Sequence, residues 1–166
     1  MVLTKPDPAR AGAQWYRERM LWNAAAAGRS IVLSLGGGLV AFETTTPHFH
    51  RTRKRLEDSG LEMPPTVLDR REGIAVVLAE YDGAVLGQCQ MPGGVRYLMA
   101  PNTIELPVVH VAPAAQDRSW VSSPKANDRC LPSASSVLAA FVAVVPPHLR
   151  AGRRVTAAAR QRTLIG

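Results

Sequence analysis

Apolar residues recur at helical spacing near the start of the chain. Tyr16, Met20 and Ala24 lie four residues apart, so they would share one face of a helix. Three more apolar residues widen this stripe: Trp15, Leu21 and Trp22. Gly28 follows, at a place where a glycine commonly ends a helix. The pattern predicts a helix over residues 9–27 whose apolar face covers another element.

Two short apolar runs follow, separated by three glycines. Ser30–Leu35 and Leu39–Glu43 are rich in β-branched and other apolar residues, and Gly36–Gly38 lies between them. This arrangement predicts two strands joined by a tight turn. Because both runs are almost continuously apolar, we expect their sheet to be covered on both faces.

A second helix is predicted where Thr46 precedes Pro47. The hydroxyl of Thr46 can cap free N–H groups, and proline suits the first helical position. Four residues follow at i, i+3, i+4 and i+7: Phe49, Thr52, Arg53 and Leu56. Gly60 then provides a signal for the end of the helix.

The rest of the chain predicts further strands and a last helix. The predicted strands are residues 66–69, 74–80, 84–90, 95–99 and 108–111. Two of them, 74–80 and 84–90, flank Tyr81-Asp82-Gly83 and are expected to form a hairpin. The last helix is predicted over Ser133–Val145, before Pro146 and Pro147. This order of elements predicts one α+β domain over residues 1–147, with helices packed on a mixed or antiparallel central sheet.

The composition agrees with a single α+β domain and also indicates where in the cell the protein is found. The chain has 166 residues and is 46% apolar, which suits one domain with its own core. No apolar run approaches the roughly 18 residues of a membrane helix, and the first residues lack the order of a secretory signal. We therefore expect a cytoplasmic protein with no membrane partner. Cys89 and Cys130 lie far apart in the sequence, which favours reduced thiols over a zinc site.

Positive charge is concentrated at the C-terminus. The net charge is +7, from 20 Lys and Arg against 13 Asp and Glu, which favours a polyanionic partner. No acid follows Asp128, whereas six arginines do, and five of them lie in residues 148–166. We expect this segment to be a basic tail. A GC-rich genome would also raise the arginine content, so charge alone leaves the partner open.

A second basic cluster lies on the second predicted helix. It consists of Arg51, Arg53, Lys54 and Arg55. These side chains have two interpretations: they form either a solvated helix face or a clamp for phosphate groups.

Local motifs for chemistry are weak. Gly36–Gly38 lies between strands with no Lys-Ser or Lys-Thr after it, so it lacks the P-loop arrangement. His48 and His50 stand two residues apart on a predicted helix, so their side chains point in different directions and cannot share a metal ion. No serine or cysteine lies in a nucleophile motif. Four acids near the predicted hairpin are more simply solubilising than catalytic: Asp69, Glu72, Glu80 and Asp82.

A larger pattern extends over residues 29–141. Its parts, in order, are GLVAFETT (Gly38–Thr45), a helix, Pro64-Pro65-Thr66-Val67, Arg70-Arg71-Glu72-Gly73, Gly93–Pro101, Trp120 and Leu131-Pro132. This succession resembles the N-terminal domain of bifunctional DNA primase/polymerases, a branch of the archaeo-eukaryotic primase superfamily. The resemblance implies a primase/polymerase-like fold and, in the active members, nucleotide addition by metal ions that carboxylates hold.

The residues that the resemblance assigns to catalysis are mostly absent here. The family has an acid-x-acid pair on one strand, and the matching positions are Glu43 and Thr45. Its third acid falls near Gln90, and its nucleotide-contacting histidine falls near Ala75. Neither an amide nor a methyl group can replace the original side chain. Glu43 is the only acid between Glu18 and Glu57, so a shift in the alignment does not restore the pair.

Arginines remain at positions that would line the cleft of such a domain. These are Arg70, Arg71 and Arg96, and the tail residues Arg150, Arg153 and Arg154 would add salt-dependent phosphate contacts. The alternative is that these arginines only keep the fold soluble. Trp120 stands for the family's Tyr-x-Trp strand, and we expect it to lie in the core rather than to stack on a base.

The sequence therefore predicts a non-catalytic accessory factor in DNA replication or maintenance, which binds DNA or a nucleotide and uses no cofactor. A protein partner in replication is a further expectation. One alternative is an active primase/polymerase in which Glu43 and either Glu72 or Asp69 rebuild a site for Mg²⁺ or Mn²⁺. Another is a protein-interaction module that docks through the last helix and the basic tail.

Overall fold

A computed structural model describes residues 7–58, 60, 62–83, 91–109, 111–125 and 131–144. These residues form three α-helices: α1 (Pro8–Met20), α2 (Thr46–Asp58) and α3 (Ala134–Val144). The strands in the described residues are β1 (Ala24–Ala27), β2 (Ser30–Ser34), β3 (Leu39–Thr45), β4 (Thr66–Asp69), β5 (Ile74–Glu80), β6 (Val95–Leu98), β7 (Thr103–Leu106) and β8 (Arg118–Ser122). The predicted α+β class is confirmed.

The strands form two antiparallel sheets. The larger sheet has five strands in the order β6-β3-β5-β4-β8, and the smaller has three in the order β1-β2-β7. All the pairings between these strands are antiparallel. β3 and β5 are therefore interior strands, with a partner on each side.

Each face of the five-stranded sheet has its own core. One face packs against α2 and α3, with Phe42 and Phe141 among its fully buried side chains. The other face packs against α1 and the smaller sheet, with Tyr16 and Leu78 at its centre. β3 lies between these two cores, so the predicted coverage of both faces is confirmed for β3. It is wrong for β2, in which fully buried residues alternate with half-buried ones.

The first predicted helix ends earlier than expected. Leu21 takes a left-handed conformation (φ 56°), and the Trp22 N–H donates to the carbonyl of Tyr16 at 3.3 Å, which closes the helix after Met20. The alanines of 24–27 form strand β1 and pair with β2 across the turn at Gly28. The prediction of a helix over 24–27 was wrong because pairing with β2 outweighs the helix propensity of alanine.

The two strands predicted on either side of Gly36–Gly38 are present, but the expectation that they pair as a hairpin is wrong. β2 belongs to the smaller sheet and pairs with β1 and β7, whereas β3 belongs to the larger sheet. The glycine turn is closed by two hydrogen bonds of 3.1 Å between the backbones of Gly36 and Leu39. Gly37 and Gly38 have φ of 61° and 91°, a region that disfavours other residues. The turn therefore carries the chain from one sheet into the other.

Most of the later predictions are confirmed. Helices α2 and α3 and strands β4, β5 and β6 lie close to the predicted bounds. The predicted strand at 108–111 is wrong, because the strand in this part of the chain is β7, which ends at Leu106. Among the described residues, the backbone of Val108 and Val111 does not bond to another strand and instead forms hydrogen bonds with the side chain of Gln116. Its Oε1 accepts from the Val108 N–H at 2.9 Å, and its Nε2 donates to the Val111 carbonyl at 3.1 Å.

Two predicted segments, 84–90 and the tail 148–166, lie outside the described residues. Among the helices that are described, none is both long enough and apolar enough to cross a membrane.

Candidate functional site

Glu43 lies near the end of β3, on the face of the larger sheet that packs against the smaller sheet and α1. Its direct partners across the sheet are Val76 on β5 and Arg96 on β6. Directly paired residues project from the same face of a sheet. Within the sheet, the Glu43 side chain therefore lies between one apolar and one cationic side chain.

The carboxylate of Glu43 is bound by Arg96. Nε of Arg96 lies 3.1 Å from Oε1 of Glu43, and Nη2 lies 3.4 Å from Oε2. The Glu43 side chain is 22% exposed and the Arg96 side chain is 70% exposed. The remnant acid and one of the predicted nucleic-acid contacts thus form an ion pair with each other.

The other positions suggested by the resemblance do not complete a metal site. Thr45, two residues after Glu43, is exposed at the end of β3. Ala75 pairs with Thr44 and is buried in the core under α2 and α3, so it lies on the opposite face from Glu43. Its neighbours Ile74 and Val76 share the face of Glu43, and both are apolar. Gln90 lies outside the described residues.

Asp69 has a structural role that the sequence did not reveal. It is buried at the end of β4, where its Oδ1 accepts from the backbone N–H groups of Arg71 and Glu72, both at 3.0 Å. Its Oδ2 lies 2.7 Å from Nη2 of Arg118, whose Nη1 lies 2.6 Å from Oε2 of Glu105. Arg118 therefore links β4 of the larger sheet to β7 of the smaller one.

The interpretation of Asp69 as a solubilising residue is wrong, because its side chain is only 5% exposed. One sequence signal could have placed Asp69 in a turn: it lies four residues before Gly73. An aspartate at the start of a turn often accepts hydrogen bonds from backbone N–H groups two and three residues later. Nothing in the sequence indicated its partner on β8.

The three predicted cleft arginines lie at the same end of the larger sheet. Arg96 is on β6, whereas Arg70 and Arg71 are in the turn between β4 and β5. Arg71 lies 3.9 Å from Glu72, and both side chains are mostly exposed. Arg70 has no carboxylate partner in the described part of the chain, and its Nη1 donates to the carbonyl of Pro113 at 3.4 Å. Arg150, Arg153 and Arg154 lie outside the described residues.

A basic surface is present on α2, on the opposite face of the larger sheet. We call it the α2 surface; it consists of Arg51, Lys54 and Arg55, which are exposed and border a shallow depression with Asp58 and Val144. Arg51 and Lys54 have no carboxylate partner in the described ranges. Arg53, by contrast, is paired with Glu57 at 2.6 Å. Arg51 and Lys54 are therefore less neutralised than Arg96 at the end of the larger sheet.

The two histidines of α2 lie in different environments. His48 is buried against Phe141, with the ring centroids 5.7 Å apart, whereas His50 is exposed. Burial lowers the pKa of His48, the nearby Arg51 lowers it further, and a hydrogen bond to the Phe141 backbone opposes the change. The divergence predicted for the two side chains is confirmed.

The residues present do not fit a two-metal site. Such a site needs several anionic oxygens directed at the same point, whereas Glu43 and Asp69 are each paired with an arginine and lie on strands that β5 separates. Within the described residues, no three His, Cys, Asp or Glu side chains are placed to hold a metal ion together.

Comparisons of the chain with protein-family models, with curated proteins and with solved structures find no match. The resemblance to primase/polymerases therefore stays a prediction from the sequence.

Proposed function

We propose that this chain is a non-catalytic nucleic-acid-binding protein of primase/polymerase type, which acts as an accessory factor in DNA replication or maintenance in the cytoplasm. The observation that carries the binding function is the α2 surface, where Arg51 and Lys54 are exposed and have no carboxylate partner in the described part of the chain. The net charge of +7 supports the same function.

Phosphate groups are the ligands that this surface suits. Arginine and lysine side chains spaced three residues apart on a helix project in similar directions, so one helix face can follow a nucleic-acid backbone. Such contacts position the protein without reading sequence, and their strength falls as salt displaces them. The tail arginines Arg150, Arg153 and Arg154 would add contacts of the same kind.

The first prediction concerns the α2 surface. We expect the double variant Arg51→Ala/Lys54→Ala to bind a fluorescein-labelled single-stranded oligonucleotide more weakly than the wild type at low salt. The dependence of log K on log salt should be less steep by roughly 1.5, since each phosphate contact contributes about 0.7–0.9 to that slope. Fluorescence anisotropy at several salt concentrations measures both effects.

The matched control removes the same charge from another face. Arg19 on α1 and Arg29 in the turn between β1 and β2 are both exposed. Arg19→Ala/Arg29→Ala should therefore keep the wild-type salt slope to within about half a contact. Equal slopes for the two double variants would show that net charge alone attracts the nucleic acid. Complete absence of binding at low salt would contradict the proposed function and favour a protein-interaction module.

Nucleotide transfer by metal ions needs carboxylates that are free to hold the ions, and the candidate carboxylates here lie beside arginines. Glu43 and Asp69 each form an ion pair with an arginine. Glu43 lies 3.1 Å from Arg96, and Asp69 lies 2.7 Å from Arg118. Glu72 lies beside Arg71 in an exposed turn. A rearranged site that used Glu43 with Asp69 or Glu72 would first have to break these ion pairs.

The second prediction follows from that arrangement. We expect the purified protein to extend no primer on a DNA template, with either Mg²⁺ or Mn²⁺, in a gel assay where an active polymerase extends it. Mn²⁺-dependent extension that Glu43→Gln abolishes would overturn the non-catalytic proposal and establish the rearranged site. Extension that survives Glu43→Gln would indicate a contaminating polymerase, so the variant serves as the control.

A further inference from the structure

A groove lies on the other side of the larger sheet from the α2 surface. It is bordered by α1, the segment that follows β7, and β8, and its volume is about 350 Å³, within the usual range for small-molecule pockets. Aromatic and proline side chains form much of its wall: Trp15, Tyr16, Pro107, Pro113, Trp120 and Pro124. We call it the tryptophan groove.

The two tryptophans are held in place by a buried tyrosine. The ring of Tyr16 lies 5.1 Å from that of Trp15, at 85°, and 6.3 Å from that of Trp120. The Tyr16 hydroxyl accepts from Nε1 of Trp120 at 2.9 Å and donates to the Pro107 carbonyl at 3.2 Å. Tyr16 is fully buried, whereas both tryptophans remain partly exposed. The hydrogen bond thus fixes the orientation of the Trp120 ring, the Trp15 ring packs at a steep angle against Tyr16, and both rings are accessible to a ligand.

The loop wall of the groove is also fixed. Gln116 binds the backbone of Val108 and Val111 through three hydrogen bonds of 2.9–3.4 Å. These bonds hold Val108 and Val111 in place before a ligand enters, which favours affinity.

A cation lies at the edge of the groove. Nη1 of Arg70 donates to the carbonyl of Pro113, a residue of the groove wall, at 3.4 Å. The backbone N–H of Arg70 binds the Asp117 carbonyl at 3.0 Å, which anchors the residue there. Arg70 has no carboxylate partner in the described part of the chain. Aromatic faces beside an uncompensated guanidinium suit a planar ring that carries a phosphate.

We propose that the tryptophan groove binds one nucleotide unit, with its base stacked on Trp15 and its phosphate on Arg70. Every base has a π-face, so this site would take a base without selecting its identity. The inference rests on the proposed function for the class of ligand and adds a site for an unpaired base. The two sites lie on opposite faces of the larger sheet, so separate probes can test them.

The test uses adenosine 5′-monophosphate (AMP) and the full chain, with tryptophan fluorescence as the signal. We expect saturable quenching by AMP, weakened roughly five- to 150-fold in Trp15→Ala, since stacking on an aromatic ring accounts for that range. Trp120 still reports in this variant. Trp15→Phe, which keeps an aromatic ring, should retain most of the affinity. Arg70→Ala should weaken AMP binding and leave binding of adenosine, which lacks the phosphate, unchanged.

Arg53→Ala serves as the matched control, because Arg53 lies on α2, on the opposite side of the larger sheet from the groove, and its removal should leave AMP binding unchanged. Circular dichroism checks that each variant is folded. The proposal is overturned if AMP gives no saturable quenching, if Trp15→Ala binds AMP as well as the wild type does, or if adenosine binds as tightly as AMP. The proposed function is tested separately by oligonucleotide anisotropy: oligonucleotide binding without AMP binding removes the groove alone, and AMP binding without oligonucleotide binding removes the α2 surface alone.

Discussion

Arg118→Met is expected to lower the free energy of unfolding by about 2–3 kcal/mol at neutral pH, because it leaves the buried carboxylate of Asp69 without its cation. Removing one partner of a buried ion pair commonly costs about 3–5 kcal/mol. Two features reduce the cost here. The Arg118 side chain is 32% exposed, and two backbone N–H groups still bind Asp69. Methionine replaces the apolar stem of arginine, so most of the packing is kept while the charge is lost.

Urea unfolding measures this effect, and the chain offers a matched control. Arg96→Met removes an arginine from an ion pair of similar geometry, with Glu43, but the Arg96 side chain is 70% exposed. An exposed pair contributes about 0–1 kcal/mol, so this variant should lose less than half as much stability. The double variant Asp69→Asn/Arg118→Met should recover part of the loss, since it removes the unpaired charge. Equal losses in Arg118→Met and Arg96→Met would contradict the structural role of Asp69.

Alkaline conditions are expected to destabilise the protein through Tyr16. Burial raises the pKa of its phenol from the usual 10 to about 12, while the hydrogen bond from Trp120 opposes the change. Below pH 10 the phenol is protonated in both the folded and the unfolded chain. Between pH 10 and 12 the unfolded chain ionises first, so folding stability is lost as pH rises, by about 2 kcal/mol at pH 12.

Tyr16→Phe provides the comparison for this prediction. At neutral pH the variant should be less stable by about 1–2 kcal/mol, because the Trp120 N–H and the Pro107 carbonyl lose their partner. Between pH 10 and 12 the gap between variant and wild type should then shrink or reverse. Burial also raises the pKa of Tyr97, but that residue is present in both proteins, so its effect cancels in the difference. A constant gap over this range would show that Tyr16 does not cause the alkaline loss.

These contacts change how the positive charge of the protein is interpreted. Arg96 and Arg118 form ion pairs with carboxylates of the same chain, which neutralise their charge. These two arginines therefore add little to the attraction for phosphate. Arg51 and Lys54 have no such partner in the described residues. The excess that the composition indicated is therefore distributed unevenly over the surface, and Arg51 and Lys54 are among the described cations that no carboxylate pairs with.

The proposed site could be predicted from the sequence only in part. Arg70 was singled out for a cleft, and the structure places it beside the tryptophan groove. Trp120 was expected in the core; it packs against the core beneath α1 and the smaller sheet but also borders the groove. Trp15 was interpreted only as part of a helix stripe. Its place beside Trp120 depends on how α1 crosses β8, which no local pattern encodes.

The sequence by itself determined the class of fold and most of the elements. Helix α2 follows from Thr46-Pro47, an apolar stripe and Gly60, all of which act within a few residues. Interior strand β3 follows from its continuous apolar run. Such signals are local, so they do not depend on which distant segment lies alongside.

Only the tertiary structure decided which strands pair and which charged side chains form ion pairs. Ala24–Ala27 forms a strand because it pairs with β2. The glycine turn connects a strand of one sheet to a strand of the other, and not two strands that pair with each other. Glu43 and Arg96 meet across 53 residues of sequence because the register of β3 against β6 sets them opposite each other. Contacts of this kind arise from long-range strand alignment, whose free energy depends on packing over the whole sheet rather than on neighbouring residues.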